Sequence, residues 1–216
     1  MLTGVLPPLP RAVHITTGPL FILTWPLFAV GGGAQYWAAS VPALNAIKLV
    51  AIGTGAVKDE GAVRSVSREG DPGELLKGPL VYCLTMVAAT AITWRSDPVG
   101  IVALSMMCGG DGFADIVGRR LGSKESLKIP YNPDKSVPGS AALVLAGTAF
   151  AYGLLSYMRG LGYLEMDVEA ALPALLAVGA VGAAVESAPG GIDDNLTVPV
   201  ATWAASSIIL SRGALV

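Results

Sequence analysis

Seven apolar stretches divide the chain, and each is close to the length that a helix needs to cross a lipid bilayer. They run over roughly 15–31, 36–57, 79–94, 98–117, 138–158, 171–187 and 196–211, against about 20 residues of helix for a hydrocarbon core of about 30 Å. Of the 216 residues, 53% are hydrophobic and 14% are charged. A soluble domain of this length carries about a quarter of its residues as charge. The expectation is an all-α, multi-pass transmembrane helix bundle of about 6–7 spans, with residues 1–216 forming a single integral-membrane domain. Several stretches are short, and Pro19, Pro26 and Pro42 lie within or beside the first two, so tilt, kinking or re-entrance is expected there. The third and sixth stretches are rich in small residues, which lets membrane helices approach closely.

Charge narrows the function classes. The net charge is −2 and no basic run carries interleaved aromatics, so nucleic-acid binding is set aside. A single histidine excludes a histidine-rich metal cluster. Cys83 and Cys108 both fall in apolar segments and read as free, buried thiols. The opening MLTGVLPPLPRAVH has the pattern of neither a secretory signal nor a transit peptide, so either none is needed or the N-terminus is incomplete.

If the stretches alternate across the membrane, the N-terminus and the loops at roughly 58–78, 118–137 and 188–195 share one face. That face holds Arg11, Lys58, Arg64, Arg68, Lys77, Arg119, Arg120, Lys124, Lys128 and Lys135. The other holds only Arg95, Arg159 and Arg212. The basic excess marks the first face as cytosolic, or stromal in a plastid. Almost every candidate chemical residue gathers there too, although the span assignment did not use them.

The longest polar passage runs from Cys108 to Ser140, CGGDGFADIVGRRLGSKESLKIPYNPDKSVPGS. On a helix, Asp111, Asp115 and Arg119 share one face, because residues four apart stack. Carboxylates beside Arg119, Lys124, Lys128 and Lys135 suit a metal-bound polyphosphate, with Asp111 and Asp115 holding Mg²⁺. Gly109, Gly110 and Gly112 lack a Cβ, so a ligand could approach the backbone there. Lys135 and Ser136 read either as phosphate ligands or as a capped helix start.

Other groups surround this passage. Glu186, Asp193, Asp194 and Asn195 lie between the last two stretches; they complete a metal site, supply a base, or form a capped turn. Lys58, Asp59 and Glu60 open a loop that Glu74 and Lys77 close, which is either a substrate or nucleotide loop or a solvated connector. Arg11 and His14, three apart on one helix face, could meet phosphate or a substrate hydroxyl, or anchor at the interface. Lys48 lies within the second stretch and needs a polar cavity, a partner or a route to the interface.

In their order along the chain, RAVHITTGPLF, LVAIGTGAVKDEGAVRSVSREGD, ELLKGPL, GGDGFADIVGRRLG, KIPYNPDKSVPGS and VESAPGGIDDNLTVP resemble the polyprenol kinase family, and within it the phytol/farnesol kinase branch of plants and algae. The resemblance implies CTP- or UTP-dependent phosphorylation of an isoprenoid alcohol, phytol favoured, with Mg²⁺ as cofactor. It also implies a multi-pass chloroplast membrane protein that salvages phytol for tocopherol biosynthesis. In that reading Asp111 and Asp115 hold the metal, and Asp193 or Asp194 accepts the hydroxyl proton. Ala12 departs from the lysine usual before the histidine motif, and plant members carry extra N-terminal sequence. The pattern also resembles membrane cytidylyltransferases, which release pyrophosphate instead. A small transporter is the alternative from another class; transporters gather ionisable groups at the midplane, whereas here they gather at one boundary.

Overall fold

A computed structural model describes residues 9–29 and 31–213. The reading of the first eight residues lies outside them, and so does the side chain of Arg212. Seven helical rods make the bundle: α1 (Leu9–Leu23), α2 (Ala34–Gly53), α4 (Gly78–Ile92), a composite fourth rod, α7 (Val137–Gly160), α8 (Leu172–Glu186) and α9 (Asp194–Gly213). The fourth rod joins α5 (Pro98–Ser105), a π-helical segment (Met106–Asp111) and α6 (Gly112–Leu121). A short helix α3 (Glu60–Val66) and a two-stranded antiparallel hairpin, β1 (Lys128–Ile129) and β2 (Asn132–Ser136), complete it with 3₁₀ turns at Trp25–Leu27, Pro72–Leu76 and Glu125–Leu127. Among the described residues, Ala34–Gly53, Pro72–Ile92, Pro98–Leu121 and Val137–Gly160 are helical stretches long and apolar enough to cross a membrane; Leu172–Glu186 is a shorter apolar helix. The protein is an all-α membrane bundle.

Two boundaries differ from the sequence expectation. The first helix begins at Leu9 and stops at Leu23, not at 31. Pro26 sits in the following 3₁₀ turn, and a residue before proline disfavours helical backbone. The helix extends the other way through Arg11 and His14 because both find partners there. The fourth rod runs on to Leu121 and contains a π segment, a distortion that often marks functional sites. Prolines open α4, α5, α7 and α8 within their first two positions, where the missing N–H costs nothing.

The fourth rod is the axis of the bundle. Ile101, Val102, Leu104, Met106, Met107 and Cys108 are fully buried in it. Its glycines admit close neighbours. A Cβ on Gly109 would lie 2.7 Å from the Phe150 ring, one on Gly110 3.1 Å from the Leu143 carbonyl, and one on Gly112 2.4 Å from Ile15. At the opposite end, Arg95 is buried, 4% exposed, and donates to the carbonyls of Trp25, Phe28 and Ala29. Its guanidinium also lies over the Trp94 and Tyr163 rings, 5.1 and 4.4 Å from their centres. A residue that reads from sequence as a loop charge therefore ties the end of α1 to that face.

Candidate active site

Both ends of α1 differ in character, and the polar end opens on a cavity of 1440 Å³. Its walls come from α1, α2, α3, α4, α6, the hairpin and the α8–α9 turn. Segments far apart in sequence meet there: Lys77, Asp111 and Asp194 all line it.

The deepest cluster is built from helix ends. Asp111 closes the π segment, Glu186 ends α8, Asp194 starts α9, and Lys135 projects from β2. Asp111, Glu186 and Asp194 each bring one oxygen to within 4.8 Å of the others. Lys135 Nζ donates to Glu186 Oε1 at 2.5 Å and to Asp194 Oδ2 at 2.8 Å. Burial works against the Lys135 charge, but its bonds to Asp194 and Glu186 outweigh that and raise its pKa above the usual lysine value. Lys135 offsets part of the repulsion among three carboxylates so close together. Their hard oxygen donors fit a magnesium ion, which takes carboxylates together with phosphate oxygens.

Asp115 does something different. Its carboxylate is shared by Arg11 from α1 and by Arg119, whose Nε donates to Oδ1 at 2.7 Å. The carboxylates converging with Asp111 are thus Glu186 and Asp194, while Asp115 fixes two guanidiniums on the cavity wall. His14 Nε2 donates to the Met107 carbonyl at 3.3 Å and lies 3.7 Å from Asp111 Oδ2. Its ring packs on Tyr82, 4.8 Å between centres.

The α8–α9 turn is pinned to α4. Asn195 Nδ2 donates to Gly78 O at 3.3 Å, and Thr85 Oγ1 donates to Asn195 O at 2.9 Å. Asp193 Oδ1 accepts the Asn195 N–H at 2.9 Å. Asn195 Oδ1 is buried without a hydrogen-bond partner among the described residues. Asp193 forms no ion pair among the described residues.

The loop after α2 contributes unevenly. Asp59 caps α3 by accepting the Ala62 N–H at 2.9 Å, and its carboxylate meets Lys48 at 3.0 Å. That N–H first, and the Lys48 ammonium second, hold Asp59 below the usual carboxylate range. Lys48 therefore has both a partner and a place on the cavity. Glu74 folds the loop, accepting from Ser67 Oγ and the Arg68 N–H. Lys58 and Glu60 do not line the cavity; Glu60 pairs with Arg64 on the exposed side of α3.

Of the residues singled out from sequence, Arg11, His14, Asp59, Lys77 and Gly112 line the cavity, as do Arg119, Lys128, Lys135 and Ser136. Asp111, Asp115, Glu186, Asp193, Asp194 and Asn195 line it too. Gly110 does not: it is packed against Leu143. Ser136 caps α7, its Oγ accepting the Gly139 N–H at 3.3 Å. Arg68, Lys77 and Lys128 face the cavity without an ion pair among the described residues, which leaves cationic charge for an anion.

Sequence reasoning missed Tyr82 and Asn45. Tyr82 OH donates to His14 O at 2.9 Å, accepts the Gly18 N–H at 3.0 Å and touches Cys108 Sγ at 3.1 Å. It fixes α1 on α4; its signal was a lone tyrosine in the small-residue run PLVYCLTMV. Cys83 and Cys108 are both free and buried.

No protein-family model matches the chain, and no solved structure matches it. Curated proteins do. A probable phytol kinase 1, chloroplastic, of Glycine max is 44% identical over 196 residues, 90% of this chain and 64% of the relative. A probable phytol kinase, chloroplastic, of Triticum aestivum is 43% identical over 206 residues, 94% of this chain and 68% of the relative. The chain belongs to the phytol and farnesol kinase family. The farnesol kinase, chloroplastic, of Arabidopsis thaliana is 40% identical over 201 residues and 92% of the chain. The chain spans 64% of the length of the soybean and farnesol-kinase relatives.

Proposed function

We propose that this protein phosphorylates an isoprenoid alcohol, phytol by preference, using CTP or UTP with Mg²⁺. The observation that carries the reading is the convergence of Asp111, Glu186 and Asp194 in one cavity of a membrane bundle, beside Arg68, Lys77 and Lys128, which have no ion pair among the described residues. Relatives named phytol kinase and farnesol kinase support the acceptor class. Farnesol or another isoprenoid alcohol is the alternative acceptor.

The three carboxylates would hold Mg²⁺, which supplies charge neutralisation to the β- and γ-phosphates. Asp115 holds Arg11 and Arg119 at the wall, where guanidiniums can fork onto phosphate oxygens. Lys77, Lys128 and Arg68 add charge for the triphosphate. Asn195 holds the α8–α9 turn against α4, which keeps Asp193 and Asp194 at the cavity. Asp193 takes the hydroxyl proton: it lines the cavity and forms no ion pair among the described residues, whereas Asp194 is bound to Lys135. The hydroxyl oxygen then bonds to the γ-phosphorus as the bond to the β-phosphate oxygen breaks. The products are the alkyl phosphate and the nucleoside diphosphate. The protein works in a chloroplast membrane with its site on the stromal face, a placement supported by ten of the fourteen Lys and Arg on that side. Phytyl phosphate feeds tocopherol biosynthesis.

The test is direct. Purified protein with Mg²⁺, γ-labelled CTP or UTP and a panel of phytol, geranylgeraniol, farnesol and dolichol should pass label to phytol and accumulate CDP or UDP. Release of pyrophosphate, with cytidine in the lipid, would overturn the reading in favour of cytidylyl transfer.

A further inference from the structure

Although α1 and α2 are consecutive, they do not pack along each other. Helix α2 packs on α4 and on the Pro72–Leu76 turn, while α1 packs on α3, on the fourth rod and on α7. The cavity continues into the gap between them. Val13 and Thr17 of α1 form one side, Asn45 and Leu49 of α2 the other, and Tyr82 and Cys83 of α4 the floor. Asn45 lies eight residues before Gly53, the last residue of α2, and Thr17 eight residues after Leu9, the first of α1. At 1.5 Å per residue both are about 12 Å down their helices, so the gap reaches toward mid-membrane.

Thr17 and Asn45 line the cavity and are also exposed. Their outward neighbours are apolar and bare: Leu20 is 58% exposed, Leu44 65% and Ile47 65%. These side chains face lipid in a membrane bundle. Asn45 is a polar amide at that depth, donating to Cys83 Sγ at 3.2 Å. Polar groups so placed are costly in hydrocarbon and mark functional routes.

We propose that the gap between α1 and α2 is the lateral door and chain-binding groove for the substrate, with an isoprenoid chain as its occupant. This rests on the alcohol-kinase reading above. Such a molecule is a long hydrocarbon with one hydroxyl. Entry from the aqueous mouth would draw the whole chain past Arg68, Lys77 and Lys128 and out of the bilayer. Entry between α1 and α2 leaves the chain in hydrocarbon and delivers only the hydroxyl to the carboxylates. The apolar wall of Val13 and Leu49 suits the chain, while Thr17 and Asn45 offer the hydroxyl polar contacts as it passes.

Two measurements test this. In nanodiscs, Thr17→Trp and Asn45→Trp should each reduce phytol phosphorylation about tenfold more than phosphorylation of prenol, the shortest homologue, mainly through KM. An equal loss for both alcohols, or none for either, overturns the door. The second readout needs no turnover. A photoreactive phytol analogue should crosslink the unsubstituted protein at Thr17, Asn45 or Leu49 and be displaced by excess phytol. Crosslinks confined to the outer residues Leu44 and Ile47, not displaced by phytol, overturn the groove. A protein that transfers phosphate to no alcohol yet shows the displaceable crosslinks loses the kinase reading and keeps the groove.

Discussion

Lys135 shows how one side chain holds the site together. Its ammonium stands between Glu186, whose side chain is 7% exposed, and Asp194. Removing one partner of a buried pair leaves uncompensated charge and costs about 3–5 kcal/mol. Because Asp194 is one-third exposed, Lys135→Met should cost less, about 2–3 kcal/mol in thermal or denaturant unfolding. Adding Glu186→Gln should recover much of that stability and none of the turnover. A stable but active double variant would remove both residues from the site. The linkage sign follows from the raised Lys135 pKa: its charge contributes fully below the unfolded value of 10.5 and is lost as pH rises through the folded value. Stability attributable to Lys135 should therefore be flat from pH 6 to 9, within ordinary assay limits, and fall only above about 10.5. At Asp115 the arginine partners predict a different behaviour from Asp111. Asp111→Asn, Glu186→Gln and Asp194→Asn should each raise the Mg²⁺ concentration for half-maximal turnover. Asp115→Asn should instead raise KM for the nucleotide by about tenfold, as expected when charge-assisted phosphate contacts are lost. A magnesium titration moved by Asp115→Asn alone would return the metal to Asp115.

At the scale of elements, the fourth rod depends on its glycines. Gly109 lets Phe150 of α7 sit against the backbone, and its hypothetical Cβ would lie 2.7 Å from that ring. Overpacking of this kind costs about 1–3 kcal/mol. Gly109→Ala should therefore lower the unfolding midpoint, and it should lower turnover too, since Asp111 follows two residues later on the same π segment. Phe150→Leu in the same chain should recover part of both by making room. No recovery would mean that the glycine matters for backbone conformation and not for packing. The hairpin has the complementary role. Asn132 Nδ2 donates to Ser187 O at 3.1 Å, and Tyr131 OH and Ser187 Oγ lie 2.9 Å apart, so β1 and β2 hold Lys135 against the end of α8.

For the whole molecule, the cavity joins the loop after α2, the hairpin and the α8–α9 turn at one end of the bundle. Single cysteines at Glu69, Glu125 and Gly190, all exposed, should then react with an impermeant reagent from the same side of sealed vesicles. A cysteine at Gly162 should react only from the other. The background chain would carry Cys83→Ala and Cys108→Ala. Labelling of positions 69 and 190 from opposite sides would break the shared site and the mechanism with it.

The sequence by itself determined the class, an all-α membrane bundle, because length and apolarity are local properties that a bilayer reads directly. It also determined that Asp111, Asp115 and Arg119 share a helical face, since spacing fixes that. It singled out Glu186, Asp193 and Asp194 as acids at the same boundary. Only the tertiary structure decided which carboxylates meet. Asp111 is four residues from Asp115 in sequence, yet it converges with Glu186 and Asp194, because the π segment, the end of α8 and the start of α9 come together there. Asp115 is turned instead to Arg11, a partner 104 residues away. The missing Cβ atoms suggested room for a ligand; in the bundle Phe150 and Leu143 pack against Gly109 and Gly110, while Gly112, beside Ile15, still lines the cavity. That α1 and α2, though successive, pack on other elements is likewise invisible in sequence, a property of the bundle and not of either helix.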